Sequence, residues 1–234
     1  MKIFVAAAGK GTRMKELTLN KPKHLIEIKG RSFLHYLLEN IKKAGYKEIY
    51  VIGGYKIDEM KEFISDYDHK IVLINQHEII KDGSYGTIPP VKSIKHLVKE
   101  ENFIFVAGDN LYSEKDLRNF NTLEDNYCYV GGFIHEHPEH YGVLKTDGDF
   151  LDSIHEKPKE KIGNLINTGL YKFTKDIFPA IDQVKISQRG EYELTDAINN
   201  LAKEKKVKVA NLEDYWYDFG KPEDIKIIEN FLNK

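Results

Sequence analysis

The chain has 234 residues, of which 41% are hydrophobic and 31% charged, a balance that is typical of a soluble globular protein and excludes a disordered one. Its 35 basic and 37 acidic residues leave a net charge of −2, so bulk charge gives no reason to expect nucleic-acid or membrane binding. A single cysteine, Cys128, excludes an intrachain disulfide, and no apolar run reaches the roughly 18 residues of a transmembrane helix, so we expect a cytoplasmic protein.

In the first half of the chain, short β-rich runs alternate with helical periods. The run 3–8 is apolar throughout and ends at a glycine, which is typical of a strand buried on both faces and is too short for a secretory signal. Strands are predicted over 3–8, 48–52, 71–75 and 103–107, with helices over 32–44, 57–67 and 114–120. This alternation predicts a parallel sheet covered by helices, in which ligands bind beyond the carboxyl ends of the strands.

After residue 127 the predicted strands follow one another with little helix between them. They cover 128–134, 142–145, 150–155 and 165–173, which indicates an antiparallel insertion or lid. Helices are then predicted over 174–181, 193–203 and 222–232, with a strand over 207–211. Since no internal repeat or low-complexity linker interrupts the chain, we expect one domain over 1–234.

The segment 6–30 carries the strongest chemical signal. Gly9 and Gly11 follow a buried strand, so the backbone can turn tightly there and point N–H groups at an anion. Arg13 and Lys23 add full positive charges suited to phosphate. Met14 stands where a dinucleotide-binding fingerprint has its third glycine, and the Gly-Lys-Ser/Thr ending of a P-loop is absent. Taken alone, Gly9 and Gly11 are equally typical of an ordinary surface loop. The presence of Arg13 and Lys23 at these spacings favours a phosphate site.

Residues 6–30 resemble the opening motif of the sugar-phosphate nucleotidylyltransferases, Ala-Ala-Gly-x-Gly-Thr-Arg followed by Leu-Thr and Pro-Lys. Later segments resemble further motifs of this family in the same order: Gln76, Gly86-Thr87, Gly108-Asp109-Asn110, Tyr141-Gly142, Glu156-Lys157-Pro158, the segment 167–171, the segment 189–196 and the segment 216–222. Each motif is weak alone, and their shared order is specific.

The resemblance implies a three-layer, Rossmann-like α/β fold with a mixed, mostly parallel sheet and a small antiparallel sugar-binding extension. It also implies an enzyme that joins dTTP or UTP to a sugar 1-phosphate, with glucose 1-phosphate as the expected sugar, and releases pyrophosphate. By the same resemblance, the nucleotide-binding residues are Ala8, Gly9, Gly11, Thr12, Gln76, Gly86 and Thr87, the catalytic residues Arg13 and Lys23, the sugar-phosphate residues Gly142, Glu156, Lys157, Asn167 and Arg189, and the Mg²⁺ ligands Asp109 and Asp218.

The chemistry of these residue types agrees with that assignment. Two polyanions must meet, so the site needs cations and a divalent metal to reduce their repulsion. Asp109 and Asp218 are hard oxygen donors that follow apolar or aromatic runs, as expected at strand ends, although a lone Asp in such a place is also typical of a turn or helix cap. The partners expected are therefore a nucleoside triphosphate and a sugar 1-phosphate, with no nucleic acid or membrane; a homo-oligomer is compatible with the sequence.

Some features depart from the family pattern or remain open. Lys15-Glu16 stands where the family has proline, and Pro89-Pro90 follows the base loop, where we expect a helix to begin with proline in its first turn. We expect no C-terminal acyltransferase repeat domain. The stretch 135–140 contains three histidines that suit either a metal or a solvated turn around Pro138.

Three alternative functions remain open from the sequence. A cytidylyltransferase of the same fold would act on a phosphorylated alcohol, but the sugar-side motifs at Glu156 and Asn167 disfavour it. A non-catalytic regulatory subunit would bind nucleotide sugars, but retention of the cations and both acids disfavours that. A Rossmann dehydrogenase lacks its third glycine and its ribose-binding acid.

Overall fold

The computed structural model describes residues 1–98 and 101–233. The strands are β1 (Lys2–Ala7), β2 (Glu27–Ile28), β3 (Arg31–Ser32), β4 (Ile49–Gly53), β5 (Val72–Asn75), β6 (Phe103–Ala107), β7 (Asn110–Tyr112), β8 (Cys128–Ile134), β9 (Gly142–Asp147), β10 (Phe150–Glu156), β11 (Leu165–Phe173), β12 (Val207–Asn211) and β13 (Trp216–Asp218). The α-helices are α1 (Phe33–Lys43), α2 (Ile57–Tyr67), α3 (Gln76–Ile79), α4 (Ile88–Ser93), α5 (Glu114–Asn121), α6 (Ile177–Asp182), α7 (Leu194–Lys203) and α8 (Glu223–Phe231).

Nine of the strands form one continuous sheet in the order β5-β4-β1-β6-β11-β8-β12-β10-β9. The first four are mutually parallel, so their carboxyl ends meet at one edge, as predicted from the alternation of strands and helices. Strand β11 runs antiparallel to β6 and β8, and β9 and β10 are antiparallel to each other. The fold class is confirmed as a mixed α/β sheet, and the antiparallel strands extend the main sheet itself.

Helices cover both faces of this sheet, so β1 is buried on both sides. Ile3 and Val5 face one apolar core, together with α1 and α2, whereas Phe4 faces a second core with α6 and α7. This is the three-layer arrangement expected from the continuous apolar run. Ser32, the first residue of the predicted helix 32–44, caps α1, since its hydroxyl accepts a hydrogen bond of 3.2 Å from the His35 N–H.

A two-stranded ribbon of β7 and β13 lies beside the main sheet. Asp218 pairs with Asn110 in its register, and the Phe219 N–H donates to the Asp109 carbonyl at 2.8 Å. The Phe219 ring stacks on Phe33 of α1, with centroids 4.4 Å apart. The ribbon therefore brings together two acids that lie far apart in sequence. Across the described ranges, no helix is long and apolar enough to cross a bilayer.

Candidate active site

A cavity of about 590 Å³ opens at the carboxyl ends of the parallel strands. All but one of the residues predicted for the site line it: Ala8, Gly9, Gly11, Thr12, Arg13, Lys23, Gly86, Thr87, Asp109, Gly142, Glu156, Lys157, Asn167, Arg189 and Asp218. The fold thus brings segments from nearly the whole chain into one pocket. In sheets covered by helices on both faces, ligands bind at this position, beyond the carboxyl ends of the strands.

The loop after β1 is shaped by Gly11. This residue has a positive φ of 63°, and a Cβ atom there would lie 2.9 Å from the Cβ of Lys23, so a side chain would push the two segments apart. Its carbonyl accepts from the Met14 N–H at 2.9 Å, which begins a 3₁₀-helical turn, and the Met14 side chain is fully buried. The buried Met14 thus anchors the loop, and both Arg13 and Lys23 line the cavity.

Lys23 is buried and donates a hydrogen bond to Oδ2 of Asp109. Burial disfavours the Asp109 carboxylate, but the charge and hydrogen bond of Lys23 outweigh that cost and hold the pKa of Asp109 below its ordinary value. The neighbouring His24 is buried as well, and burial lowers its pKa to about 3, so its imidazole is neutral at pH 7. The structure thus places a cation and a carboxylate in direct contact at the floor of the cavity.

Asp218 stands in the opposite electrostatic situation. Burial, and then the nearby charge of Asp109, raise the pKa of Asp218 to about 6. Gly220 shows how close the Arg13 guanidinium comes, because a Cβ there would lie 3.0 Å from Oδ2 of Asp218 and 3.1 Å from Nη2 of Arg13. Two adjacent carboxylates of this kind fit a hard divalent cation. No group of three His, Cys, Asp or Glu residues in the described chain could hold a metal, so the other ligands would be substrate oxygens or water.

The far end of the cavity is built around Glu156 and Arg189. The guanidinium donates from Nε to Oε1 of Glu193 at 3.0 Å, and its Nη2 lies 3.7 Å from Oε1 of Glu156. Burial raises the pKa of Glu156. Gly142 packs directly against this acid, since a Cβ at Gly142 would lie 3.0 Å from its Oε2. The result is one guanidinium held between two acids, at the end predicted for the sugar phosphate.

Asn167 is fixed from both sides of its amide. Its Oδ1 accepts from the Gly169 N–H at 3.1 Å, and its Nδ2 donates to the Tyr171 hydroxyl at 2.8 Å. Trp216 also borders the cavity, and its Nε1 donates to the Thr168 carbonyl at 3.2 Å. The two hydrogen bonds of its amide leave the Asn167 side chain in one orientation.

Gln76 is the predicted residue that does not line the cavity. It begins α3 directly after β5, two strands from β1, and its side chain is buried. Its Oε1 has no hydrogen-bond partner within the described parts of the chain. Since a buried polar atom costs free energy unless it is paired, Gln76 has unused hydrogen-bonding capacity beside the site.

A sequence profile of the Nucleotidyl transferase family matches residues 2–234. The chain belongs to this family. A bifunctional sugar-1-phosphate nucleotidylyltransferase/acetyltransferase of Sulfurisphaera tokodaii is 38% identical over 227 residues, which are 96% of this chain and 54% of that protein. The bifunctional protein GlmU of Methanocaldococcus jannaschii is 38% identical over 233 residues, 99% of this chain and 54% of its own length. The chain spans about half the length of these curated relatives.

Solved structures agree on the fold. A UDP-glucose pyrophosphorylase complexed with UDP-glucose matches with a TM-score of 0.86 and 21% identity, covering 99% of this chain and 98% of that one. A Bacillus anthracis chain assigned as a glucose-1-phosphate thymidylyltransferase, in complex with sucrose, matches with a TM-score of 0.84 and 23% identity over 99% and 94% of the two chains. At these identities the likeness shows that the nucleotidyl transferase fold is shared.

Sequence reasoning did not assign several residues that line the cavity: His24, Tyr85, Pro90, Asn110, Glu191, Glu193 and Thr195. Nδ1 of His24 and Oδ1 of Asn110 are buried without a hydrogen-bond partner in the part of the chain that the structure describes. The signal for some was present, because Asn110 and Glu193 stand inside the motifs quoted above. Their spacing gave no indication of which side chains point inward.

The structure also locates the histidine stretch 135–140 and the single cysteine. His137 and His140 both approach Oε1 of Glu139, at 3.4 Å and 3.8 Å, in an exposed turn around Pro138. Within the described ranges, the stretch joins no group of three residues able to hold a metal. Cys128 is buried, and burial raises the pKa of its thiol, so it is a core residue.

Proposed function

We propose that the chain is an enzyme that transfers the nucleotidyl group of dTTP or UTP to a sugar 1-phosphate, with glucose 1-phosphate as the expected sugar, and releases pyrophosphate. The observation that carries this proposal is the sharing of one cavity by the glycine loop, two cations, two carboxylates and a separate sugar end with its own guanidinium. A dehydrogenase needs no such pair of acids, and the family membership agrees with transfer of a nucleotidyl group.

In this mechanism the end of the cavity that contains Arg13, Lys23, Asp109 and Asp218, the phosphate end, places positive charge against the phosphates of the nucleotide. The N–H groups around Gly9 and Gly11 receive the triphosphate, and Arg13 stabilises the negative charge that develops on the departing pyrophosphate. Lys23 lies between the α-phosphate and the incoming sugar phosphate, whose oxygen attacks phosphorus in line. Positioning and charge neutralisation supply most of the rate without a covalent enzyme intermediate.

Asp109 and Asp218 fit a bound Mg²⁺, because Mg²⁺ takes one or two carboxylates together with phosphate and water oxygens. When bound, the ion neutralises phosphate charge in the transition state. The neighbouring positive charge of Lys23 already favours the ionised form of Asp109. Asp218 must lose its proton to bind a cation, so its raised pKa predicts weaker cation binding below about pH 6.

At the other end, Asn167, Glu156, Lys157 and Arg189 hold the sugar phosphate, and Gly142 leaves room for the ring beside Glu156. Gln76, with Gly86 and Thr87, reads the base. Its amide offers both a donor and an acceptor, which match the adjacent carbonyl and N–H of uracil or thymine. The unpaired Oε1 of Gln76 supports this role.

Pyrophosphate release tests the proposal directly. The purified chain is assayed with five nucleoside triphosphates against a panel of sugar 1-phosphates that includes glucose 1-phosphate and N-acetylglucosamine 1-phosphate. We expect turnover with dTTP and UTP that depends on a divalent cation. Turnover of CTP with a phosphorylated alcohol alone would favour the cytidylyl alternative, and tight binding of nucleotide sugars without turnover would favour a regulatory subunit.

A further inference from the structure

The two ends of the cavity are joined by a short backbone bridge between residues 85–88 and Tyr192. The Tyr192 N–H donates to the Tyr85 carbonyl at 2.8 Å, and the N–H groups of Thr87 and Ile88 donate to the Tyr192 carbonyl at 3.0 and 3.1 Å. Gly86 has a φ of 124°, and a Cβ atom there would lie 2.4 Å from the Tyr192 oxygen. Glycine is therefore required for the two segments to approach this closely.

The Thr87 side chain adds a contact of a different kind. Its Oγ1 accepts from the Leu194 N–H at 2.8 Å, across 107 positions of the chain. Leu194 is the first residue of α7, and the first N–H groups of a helix have no partner within it. The residue before a helix usually supplies the cap, yet Glu193 makes no side-chain hydrogen bond to the start of α7. Thr87 thus performs the capping that Glu193 does not.

Glu193 uses its carboxylate elsewhere. It accepts from Nε of Arg189 at 3.0 Å and from Nη2 of the same guanidinium. This pairing lowers the pKa of Glu193, so the acid stays charged at neutral pH. Nη2 of Arg189 also lies 3.7 Å from Glu156. Contacts therefore run without a gap from Thr87, through the start of α7 and Glu193, to the guanidinium at the sugar end.

We propose that Thr87 is a positioning residue for the sugar phosphate. Its hydroxyl caps α7 and so leaves the Glu193 carboxylate free to orient Arg189 into the cavity. This inference rests on the proposed nucleotidyl transfer, and it assigns Thr87 a task beyond base reading.

The test compares Thr87→Val, which removes the hydroxyl, with Thr87→Ser, which keeps it. We expect Thr87→Val to raise the KM for sugar 1-phosphate about fivefold, the factor that corresponds to one lost cap, and by more than it raises the KM for nucleotide, to which Thr87 also contributes. Thr87→Ser should restore both values. Ser32→Ala is the matched control, because it removes the cap of α1 outside the cavity and should leave both KM values unchanged.

Two further measurements separate positioning from simple stabilisation. In an Arg189→Gln background, the effect of Thr87→Val on the KM for sugar 1-phosphate should disappear, since the two residues act through one path. Hydrogen–deuterium exchange over 187–198 should be faster in Thr87→Val and normal in Thr87→Ser. If the wild-type chain is active, unchanged exchange in Thr87→Val, or faster exchange with an unchanged KM for sugar 1-phosphate, overturns the positioning role of Thr87. A wild-type chain that turns over no triphosphate contradicts the proposed function itself.

Discussion

The two ends of the cavity contain the same kinds of charge and hold them differently. At the phosphate end, Lys23 and Asp109 are 9% and 25% exposed, and the second acid, Asp218, lies beside the first. At the sugar end, Arg189 is 45% exposed and lies between two acids that neutralise it. The repulsion from Asp109 that helps to raise the pKa of Asp218 is one that a bound cation would relieve, whereas the two acids of the sugar end already share one guanidinium.

This difference predicts where substitutions act. At the phosphate end, the electrostatic stabilisation is largest in the transition state with its bound cation, so substitutions there should reduce turnover. A paired and half-exposed site mainly holds its ligand in place, so changes there should raise KM. The substitutions below test this contrast between the phosphate end and the sugar end.

Loss of either acid at the phosphate end should have the largest effect. We expect Asp109→Asn and Asp218→Asn each to cut turnover by at least about 10²-fold while the fold survives, because each removes a charge from the proposed metal site. Turnover at saturating Mg²⁺ and circular dichroism check this. The exposed Asp66→Asn on α2 is the matched control. Near-normal turnover in either variant would remove that residue from the metal site.

The two cations of the loop should separate kinetically. Arg13→Ala should mainly lower kcat, by roughly 10- to 100-fold, because it meets charge that develops on the departing pyrophosphate. Lys23→Ala should raise the KM for sugar 1-phosphate, since Lys23 contacts phosphates already in the ground state. Steady-state kinetics with each substrate varied in turn measure both effects. A change in stability alone in both variants would make the loop purely structural.

Base selection should show a graded preference. Uracil and thymine differ by one methyl group, which a single pocket separates by only about 1–3 kcal/mol, so both UTP and dTTP should be used. Cytosine reverses the donor and acceptor at its amino edge, and an unpaired buried partner costs roughly 1–3 kcal/mol, so CTP should be far poorer. Purine triphosphates would also need room for a second ring. Comparison of kcat/KM for the five triphosphates measures this, and a preference for CTP, ATP or GTP contradicts the role of Gln76.

The smallest expected effect concerns stability against pH. Because the pKa of Asp218 is raised to about 6 in the folded state, its stabilising contribution is complete below about pH 4 and is lost as the pH rises through 6. Without divalent cations, Asp218→Asn should therefore melt roughly 6–12 °C above the wild type at pH 7.5, with no difference near pH 4. Thermal melts at several pH values test this. Equal melting temperatures at pH 7.5 would show that the carboxylate is well solvated.

Much of this fold followed from periodicity. Helix α2 and strands β6, β8, β11 and β12 have the predicted bounds, because each keeps one hydrophobic period over its length. The expected helix with proline in its first turn is α4, where Pro89 and Pro90 are buried. The β7–β13 ribbon has three residues in each strand, which is too short for a period to appear.

The site was predictable as a set of residues and much less as a geometry. The ordered motifs identified residues that, apart from Gln76, all line the cavity, because chemistry requires particular residue types. They left other lining residues, such as His24 and Tyr85, unassigned. They gave no sign that Lys23 binds Asp109, that Gln76 is not among the lining residues, or that Thr87 caps α7. Such contacts join distant parts of the chain, and only the packing of strands and helices decides which of them form.

The β7–β13 ribbon also sets the order in which the two acids of the cavity come together during synthesis. A ribosome releases β1, the glycine loop and β6 early, so a nascent chain contains this loop and Asp109 before Asp218 has been translated. The second carboxylate, Asp218, joins the site only when β13 pairs with β7. The Tyr217 ring then packs on Phe231 of α8, with centroids 4.8 Å apart. A half-made chain thus lacks the acid pair, and closure of this short ribbon completes its assembly.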